Sequence, residues 1–136
     1  MSNDHLKLII CIDDHIATNI YNQRIINKAI AVDEIQSCTQ AEQALDYLKK
    51  LAPKDQKPNV IFLDINMPSM NGWEFLEEYS LLKDYQKSDI VLIMLTTSLN
   101  EEDRIRAETN PEVTDFINKP LSVEQVKKLV DQYIIS

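Results

Sequence analysis

A single glycine, Gly72, stands in 136 residues. Glycine-rich phosphate loops need several glycines so that backbone can approach a phosphate closely, so neither a dinucleotide fingerprint nor a P-loop can be written. Basic residues are also scarce. The net charge is −8 and no Lys/Arg-dense stripe offsets it, which excludes a nucleic-acid-binding surface. No apolar run reaches membrane-spanning length. The first, "LIICI", is too short for a signal-peptide core and ends in Asp13-Asp14, so no membrane is expected and the location is expected to be cytoplasmic. Only Cys11 and Cys38 represent cysteine. Both sit in apolar, strand-like settings with no metal-ligand partner at useful spacing, and they read as reduced, buried thiols rather than a disulfide. Repeats, low-complexity tracts and linkers are absent, so residues 1–136 read as one domain with no output domain attached.

What is present is an ordinary globular balance, 44% hydrophobic and 26% charged. Five apolar segments recur: "LKLIICI" (6–12), "EIQSC" (34–38), "VIFLDI" (60–65), "IVLIML" (90–95) and "DFIN" (115–118). Those at 6, 60 and 90 are nearly continuous in Ile, Val and Leu, as strands covered on both faces tend to be. Helix-period segments fill the gaps. Tyr21, Ile25 and Ala29 step by four within 16–31, and Leu76 and Tyr79 carry a stripe after Gly72. Thr39 with Glu42, and Ser122 with Gln125, have the spacing of capping boxes. Asn100 precedes the acid-rich start Glu101-Glu102-Asp103, favourable against a helix dipole. Five strand–helix units predict a doubly wound α/β architecture around a five-stranded parallel sheet.

Ligands of such sheets bind beyond the carboxyl ends of the strands. The first strand ends in Asp13-Asp14, the third in Asp64, the fourth in Thr96-Thr97-Ser98 and the fifth in Lys119-Pro120. Clustered carboxylates repel one another unless a cation sits between them. With oxygen ligands and little room for a full protein cage, Mg²⁺ is the natural choice, since it keeps waters and shares positions with phosphate oxygens. One carboxylate could then attack phosphorus and form an aspartyl phosphate, with a lysine and a hydroxyl on the other phosphoryl oxygens.

The segments "CIDDH", "FLDINMPSMNG", "IMLTTS" and "DFINKPL" resemble, in order and across nearly the whole chain, the signature segments of the response-regulator receiver domain of two-component signalling. That resemblance implies a flavodoxin-like (βα)5 fold with Asp64 as phosphoacceptor. It implies Mg²⁺ bound by Asp13, Asp14 and Asp64 with the backbone carbonyl of Asn66, Lys119 on the phosphoryl group, and a cis Lys119-Pro120 bond. The conserved hydroxyl falls on Thr96 when matched forward through "NEED" and on Thr97 when counted back from Lys119; Thr96 is the assignment and Thr97 the runner-up. Phe116 holds the aromatic switch position, where tyrosine is common. The implied donor is a sensor histidine kinase or histidine phosphotransfer protein. A downstream protein, or a second copy forming a homodimer, would dock on the surface of the fourth helix (about 100–109), fifth strand and fifth helix (122–134).

Bland readings apply to the remaining polar and aromatic positions. His15 reads as a solvated helix-start residue, Asn71-Gly72 as turn chemistry, and Trp73 and Phe75 as packing. Three other functions compete. A Mg²⁺-dependent phosphohydrolase of the haloacid-dehalogenase type needs a second Asp where Asn66 stands, and Asn66 cannot relay a proton. A flavodoxin needs a Ser/Thr/Gly phosphate loop after the first strand, which is missing. A constitutive, phosphorylation-independent interaction module would not need the full set of acids, hydroxyl and lysine. The chain is therefore expected to be a signalling protein that catalyses only its own phosphorylation and dephosphorylation.

Overall fold

The computed structural model describes residues 5–97 and 100–134. Five strands, β1 (His5–Ile12), β2 (Ala31–Cys38), β3 (Val60–Asp64), β4 (Val91–Thr96) and β5 (Asp115–Asn118), pair in parallel in the order β2-β1-β3-β4-β5. Every residue of β3 and β4 is buried, as their unbroken Ile/Val/Leu runs require of strands covered on both faces. The two outer strands carry charge and amide instead, through Asp33, Glu34, Asp115 and Asn118, which discourages pairing with another sheet edge.

Helices α1 (Ile16–Ala29), α2 (Ala41–Lys49), α3 (Gly72–Ser80), α4 (Asp84–Lys87), α5 (Glu101–Thr109) and α6 (Val123–Tyr133) complete the fold. One core layer joins Ile26, Ala29, Val126, Leu129 and Val130 of α1 and α6 to Ile9, Phe62 and Ile93 of the sheet. On the opposite face Leu45, Leu48, Phe75, Leu76, Tyr79 and Ala107 meet Ile10, Ile61 and Met94. The architecture is the doubly wound, flavodoxin-like one expected, with three local differences. Helix α4 was not expected; at four residues it is a single turn, too short for a hydrophobic period to reveal. Strand β2 starts three residues earlier than its apolar core suggested, because residues 31–33 lie on an exposed edge where no burial pattern is imposed. Helix α2 caps one residue later: the Gln43 side-chain oxygen accepts from the backbone N–H groups of Thr39 and Gln40 at 3.2 and 3.3 Å. The Ser122–Gln125 capping box forms as read, with bonds of 3.1 and 2.9 Å.

Cys11 and Cys38 are both free and buried, in different core layers on opposite faces of the sheet, so they cannot face one another. Burial, with smaller contributions from Cys38 and Asp13, pushes the Cys11 thiol up to about 12, an inert group. Among the described residues no helix is long and apolar enough to cross a membrane.

Register places the carboxyl ends of all five strands level. Ile12 pairs with both Cys38 and Leu63, Asp64 with Leu95, and Thr96 with Asn118. Asn59 ties the opposite ends together: its side-chain oxygen accepts from Lys7 and Leu8 N–H, its own N–H donates to Leu8, and its carbonyl accepts from Val91.

Candidate functional site

The chain order reverses between β1 and β3, and the crevice opens at their ends. Asp13 follows β1 and is 2% exposed; Asp64 closes β3 and is 6% exposed. Two acids buried this deeply are tolerable only with a partner. Lys119, the residue after β5, supplies one: its Nζ lies 2.6 Å from Asp13 Oδ2 and 3.2 Å from Asp64 Oδ1. Its backbone N–H donates to the Thr96 carbonyl at 2.8 Å, fixing it against the end of β4, and the Lys119-Pro120 bond is cis.

The electrostatics follow from this geometry. Burial and then the charge of Asp13 push the Asp64 carboxyl above its ordinary range; the Lys119 ammonium and a backbone N–H donated by Asn66 oppose that rise without cancelling it. Burial works to lower Lys119, but its hydrogen bond to Asp13 and the charges of Asp64 and Asp13 outweigh burial and hold the ammonium protonated above its ordinary value.

Asp13 is fixed from several sides. Its N–H donates to the Cys38 carbonyl at 3.0 Å, and its Oδ1 accepts from His15 N–H at 2.9 Å. Buried Asn19, on the inner face of α1, donates to the carbonyls of Asp13 at 2.9 Å and Cys38 at 3.4 Å, so it binds α1 to the ends of β1 and β2. Sequence reasoning passed over Asn19; an amide one turn into a helix and in phase with buried Ile26 is the signal that could have found it. His15 is the solvated helix-start residue read from the sequence. It stands at the N-cap of α1 with a 72% exposed side chain, yet its Nδ1 lies 3.4 Å from Oδ1 of both Asp13 and Asp14.

Gly72 has its own role here. Its N–H donates to the Ile65 carbonyl at 2.8 Å, and a Cβ at this position would meet the Asp64 carbonyl oxygen and Ile65 Cα at 2.9 Å and Met94 Cε at 3.1 Å. The one glycine of the chain lets α3 start directly against the backbone that carries Asp64. Asn71 is more than turn chemistry, since it exchanges capping-box bonds of 2.9 and 3.0 Å with Glu74.

The remaining sequence-predicted residues lie around this centre. Thr96 ends β4 and is fully buried, whereas Thr97 is exposed and lines a cavity of ≈ 500 Å³ with Lys119, Pro120, Tyr21 and Ala17. Ser98 falls outside the described residues. Asn66 is exposed beside Asp64. Phe116 on β5 is half-buried against the core layer under α5, at one side of a ≈ 370 Å³ cavity it shares with Arg104, Ala107 and Val113.

A cation fits the outer part of this site. Asp14 Oδ1 is buried without a hydrogen-bond partner, an arrangement that costs free energy unless a positive ligand completes it. Among the described residues, the group whose ligand atoms lie within 4.8 Å of one another is Asp13, Asp14 and His15. Asp64, which the sequence groups with the two acids, is linked to Asp13 through the Lys119 ammonium between them.

Residues 9–131 match the family model described as the response regulator receiver domain. The structure is similar to that of a two-component response regulator from Cytophaga hutchinsonii, with a TM-score of 0.86 and 30% identity over 96% of this chain and 98% of that one. In sequence the chain is 27% identical to the probable methanogenesis regulatory protein FilR2 of Methanothrix harundinacea, covering 92% of this chain and 79% of that protein. It is 30% identical to part of the sensor histidine kinase CheAY of Helicobacter pylori, covering 93% of this chain but 15% of the kinase.

Proposed function

The chain belongs to the response regulator receiver domain family, whose members are signalling modules rather than classical enzymes, and on that premise we propose that Asp64 accepts a phosphoryl group in a Mg²⁺-dependent reaction and thereby switches a distant surface. The observation that carries this reading is the Lys119 ammonium held at once against Asp13 and Asp64, at the end of the sheet where β1 and β3 diverge. A cation that merely neutralised a buried acid would need one partner. This one is poised to stay with Asp64 while new oxygens arrive.

In the proposed transfer a carboxylate oxygen of Asp64 attacks phosphorus, the P–N bond of a donor phosphohistidine breaks, and its electron pair returns to the imidazole. Burial keeps Asp64 poorly hydrated, so little water has to be removed before attack. Lys119 pairs with a phosphoryl oxygen as charge accumulates, and the hydroxyl of Thr96 (Thr97 as runner-up) takes another. Asp13 and Asp14, with Asp64 and the Asn66 carbonyl, would hold Mg²⁺. When bound, that ion neutralises charge on the transferring group and orients it. The donor would be a histidine kinase or phosphotransfer protein. Exposed Ile16, Ile20 and Tyr21 on α1, the last lining the ≈ 500 Å³ cavity that Lys119 also lines, would give it an apolar surface.

The addition of roughly −1.5 to −2 charge and three acceptor oxygens would draw Thr96 and Lys119 inward. Phe116 would then move into the space beside β4, altering the surface of α5, β5 and α6 where a downstream protein or a second copy docks. The cytoplasm is the compartment in which we place this exchange. Labelled acetyl phosphate, a small donor, tests the chemistry. Wild type is expected to take up label only with Mg²⁺, and Asp64→Asn to take up none while remaining folded by circular dichroism. Undiminished label on Asp64→Asn would remove the assignment, and no label on wild type would leave a constitutive interaction module as the reading.

A further inference from the structure

The metal-facing group contains a nitrogen. His15 Nδ1 lies 3.4 Å from Asp13 Oδ1 and 3.4 Å from Asp14 Oδ1, and all three ligand atoms are within 4.8 Å of one another. Neither contact is a good hydrogen bond, for which about 2.7–3.2 Å is usual. Each matches the edge of a metal coordination shell better. Ligand arms of about 2.05–2.1 Å put neighbouring ligand atoms about 3.0–3.4 Å apart, depending on whether the shell is octahedral or tetrahedral. Asp14 Oδ1, one of the three, is buried and has no hydrogen-bond partner. The backbone contributes too, because His15 N–H donates to Asp13 Oδ1 and so sets that oxygen and the imidazole on the same turn.

We propose that His15 Nδ1 ligates the divalent cation together with Asp13 and Asp14, so that the site favours metals that take imidazole well, such as Ni²⁺ and Zn²⁺, over Mg²⁺ by more than its carboxylates alone would. Mg²⁺ is a hard cation served by oxygen ligands, whereas imidazole suits the later first-row metals, whose affinity rises along the series. His15 thus adds little for Mg²⁺ and progressively more from Mn²⁺ to Ni²⁺. The proposal rests on the reading that these acids bind a divalent cation at all, and deepens it by fixing which cations. The chain helps the test, because it has two histidines and the other, His5, is at the start of β1, paired with Asp33 at 2.6 Å and at the far end of the strand from the site.

Mn²⁺, Ni²⁺ and Mg²⁺ are titrated one at a time into the tag-free full chain and into His15→Ala, His5→Ala and Asp14→Ala. Affinity is read by calorimetry, and nitrogen coupling to bound Mn²⁺ by pulsed electron paramagnetic resonance. The wild type and His5→Ala are expected to show the nitrogen coupling, and His15→Ala to lose it. His15→Ala should weaken Ni²⁺ by at least about tenfold, the low end of what loss of even an indirect ligand partner costs, while Mg²⁺ stays within about threefold. Metal bound without nitrogen coupling, or equal weakening of Mg²⁺ and Ni²⁺, overturns the role of His15 and leaves the acid site standing. No binding of any of the three metals to wild type overturns both.

Discussion

Asp64 is a buried carboxylate whose neighbours disagree about its charge, and the sign of its pH dependence follows. Its folded value is raised above the ordinary 3.8 by burial and Asp13. A raised acid favours the folded state most when protonated, so its contribution is fully present below the unfolded value and is lost as pH climbs through the folded one. In metal-free buffer, the stability of Asp64→Asn relative to wild type should therefore rise with pH across that window and then level off. Urea melts from pH 3 to pH 7 measure it; a difference that is flat, or falls with pH, contradicts the burial argument. Asp14 gives a second case. Its buried Oδ1 lacks a hydrogen bond, so Asp14→Ala is expected to lose most Mg²⁺ affinity yet match or exceed wild type in metal-free stability, by on the order of 1 kcal/mol. Thermal melts with and without Mg²⁺ separate this from simple damage, since a variant that is destabilised and still Mg²⁺-responsive does not fit.

At the scale of elements, the strand ends and the glycine decide how well the site is held. α3 begins against the backbone of Asp64 and Ile65, and only a residue without Cβ fits there. Gly72→Ala should cost about 1–3 kcal/mol, as overpacking does, and should slow labelling of Asp64 more than Ser80→Ala, a change at the exposed end of the same helix. Normal labelling in a destabilised Gly72→Ala variant would show that α3 supports the fold without positioning the site. α5 is held differently. Ala107 is its one buried residue among those described, and Arg106 stacks over Trp73 of α3 at 4.3 Å. Such a pair contributes about 0.5–1 kcal/mol when exposed, a small anchor for nine residues, so the proposed switch is expected to move this helix rather than α2 or α6. The central strands were legible in the sequence because burial on both faces forces unbroken apolar runs, and α6 because its stripe and capping box agree. Helix α4 was not, because one turn has no period. The first three residues of β2 were not, because an edge strand has only half its neighbours to satisfy. The acids and Lys119 could be read from their places at strand ends. Asn19 left a trace in its helical phase with Ile26, but the contacts of His15 could not be read, since which carboxylates it faces is fixed by where α1 starts relative to the end of β1.

Across the whole molecule, a charge change at one end of the sheet has a short route to the α5-β5-α6 surface. Asp64 pairs across β3–β4 with Leu95; the next residue of β4, Thr96, carries the carbonyl that receives Lys119 N–H; and Phe116 lies three residues before Lys119 beside a ≈ 370 Å³ cavity under α5. A population shift between two packings along this route needs the added phosphoryl to favour one of them, and its size is set by that preference. Beryllofluoride with Mg²⁺, a phosphoryl mimic, reads the outcome residue by residue in backbone NMR spectra. The expected result is a set of shifts around Asp64, at Phe116 and along α5, β5 and α6, with Thr96→Ala suppressing the distant set and sparing those near Asp64. If Thr97→Ala suppresses them instead, the hydroxyl is the neighbouring one. Shifts confined to the crevice, with Phe116 and α5 unmoved while the mimic is bound, would contradict a switch.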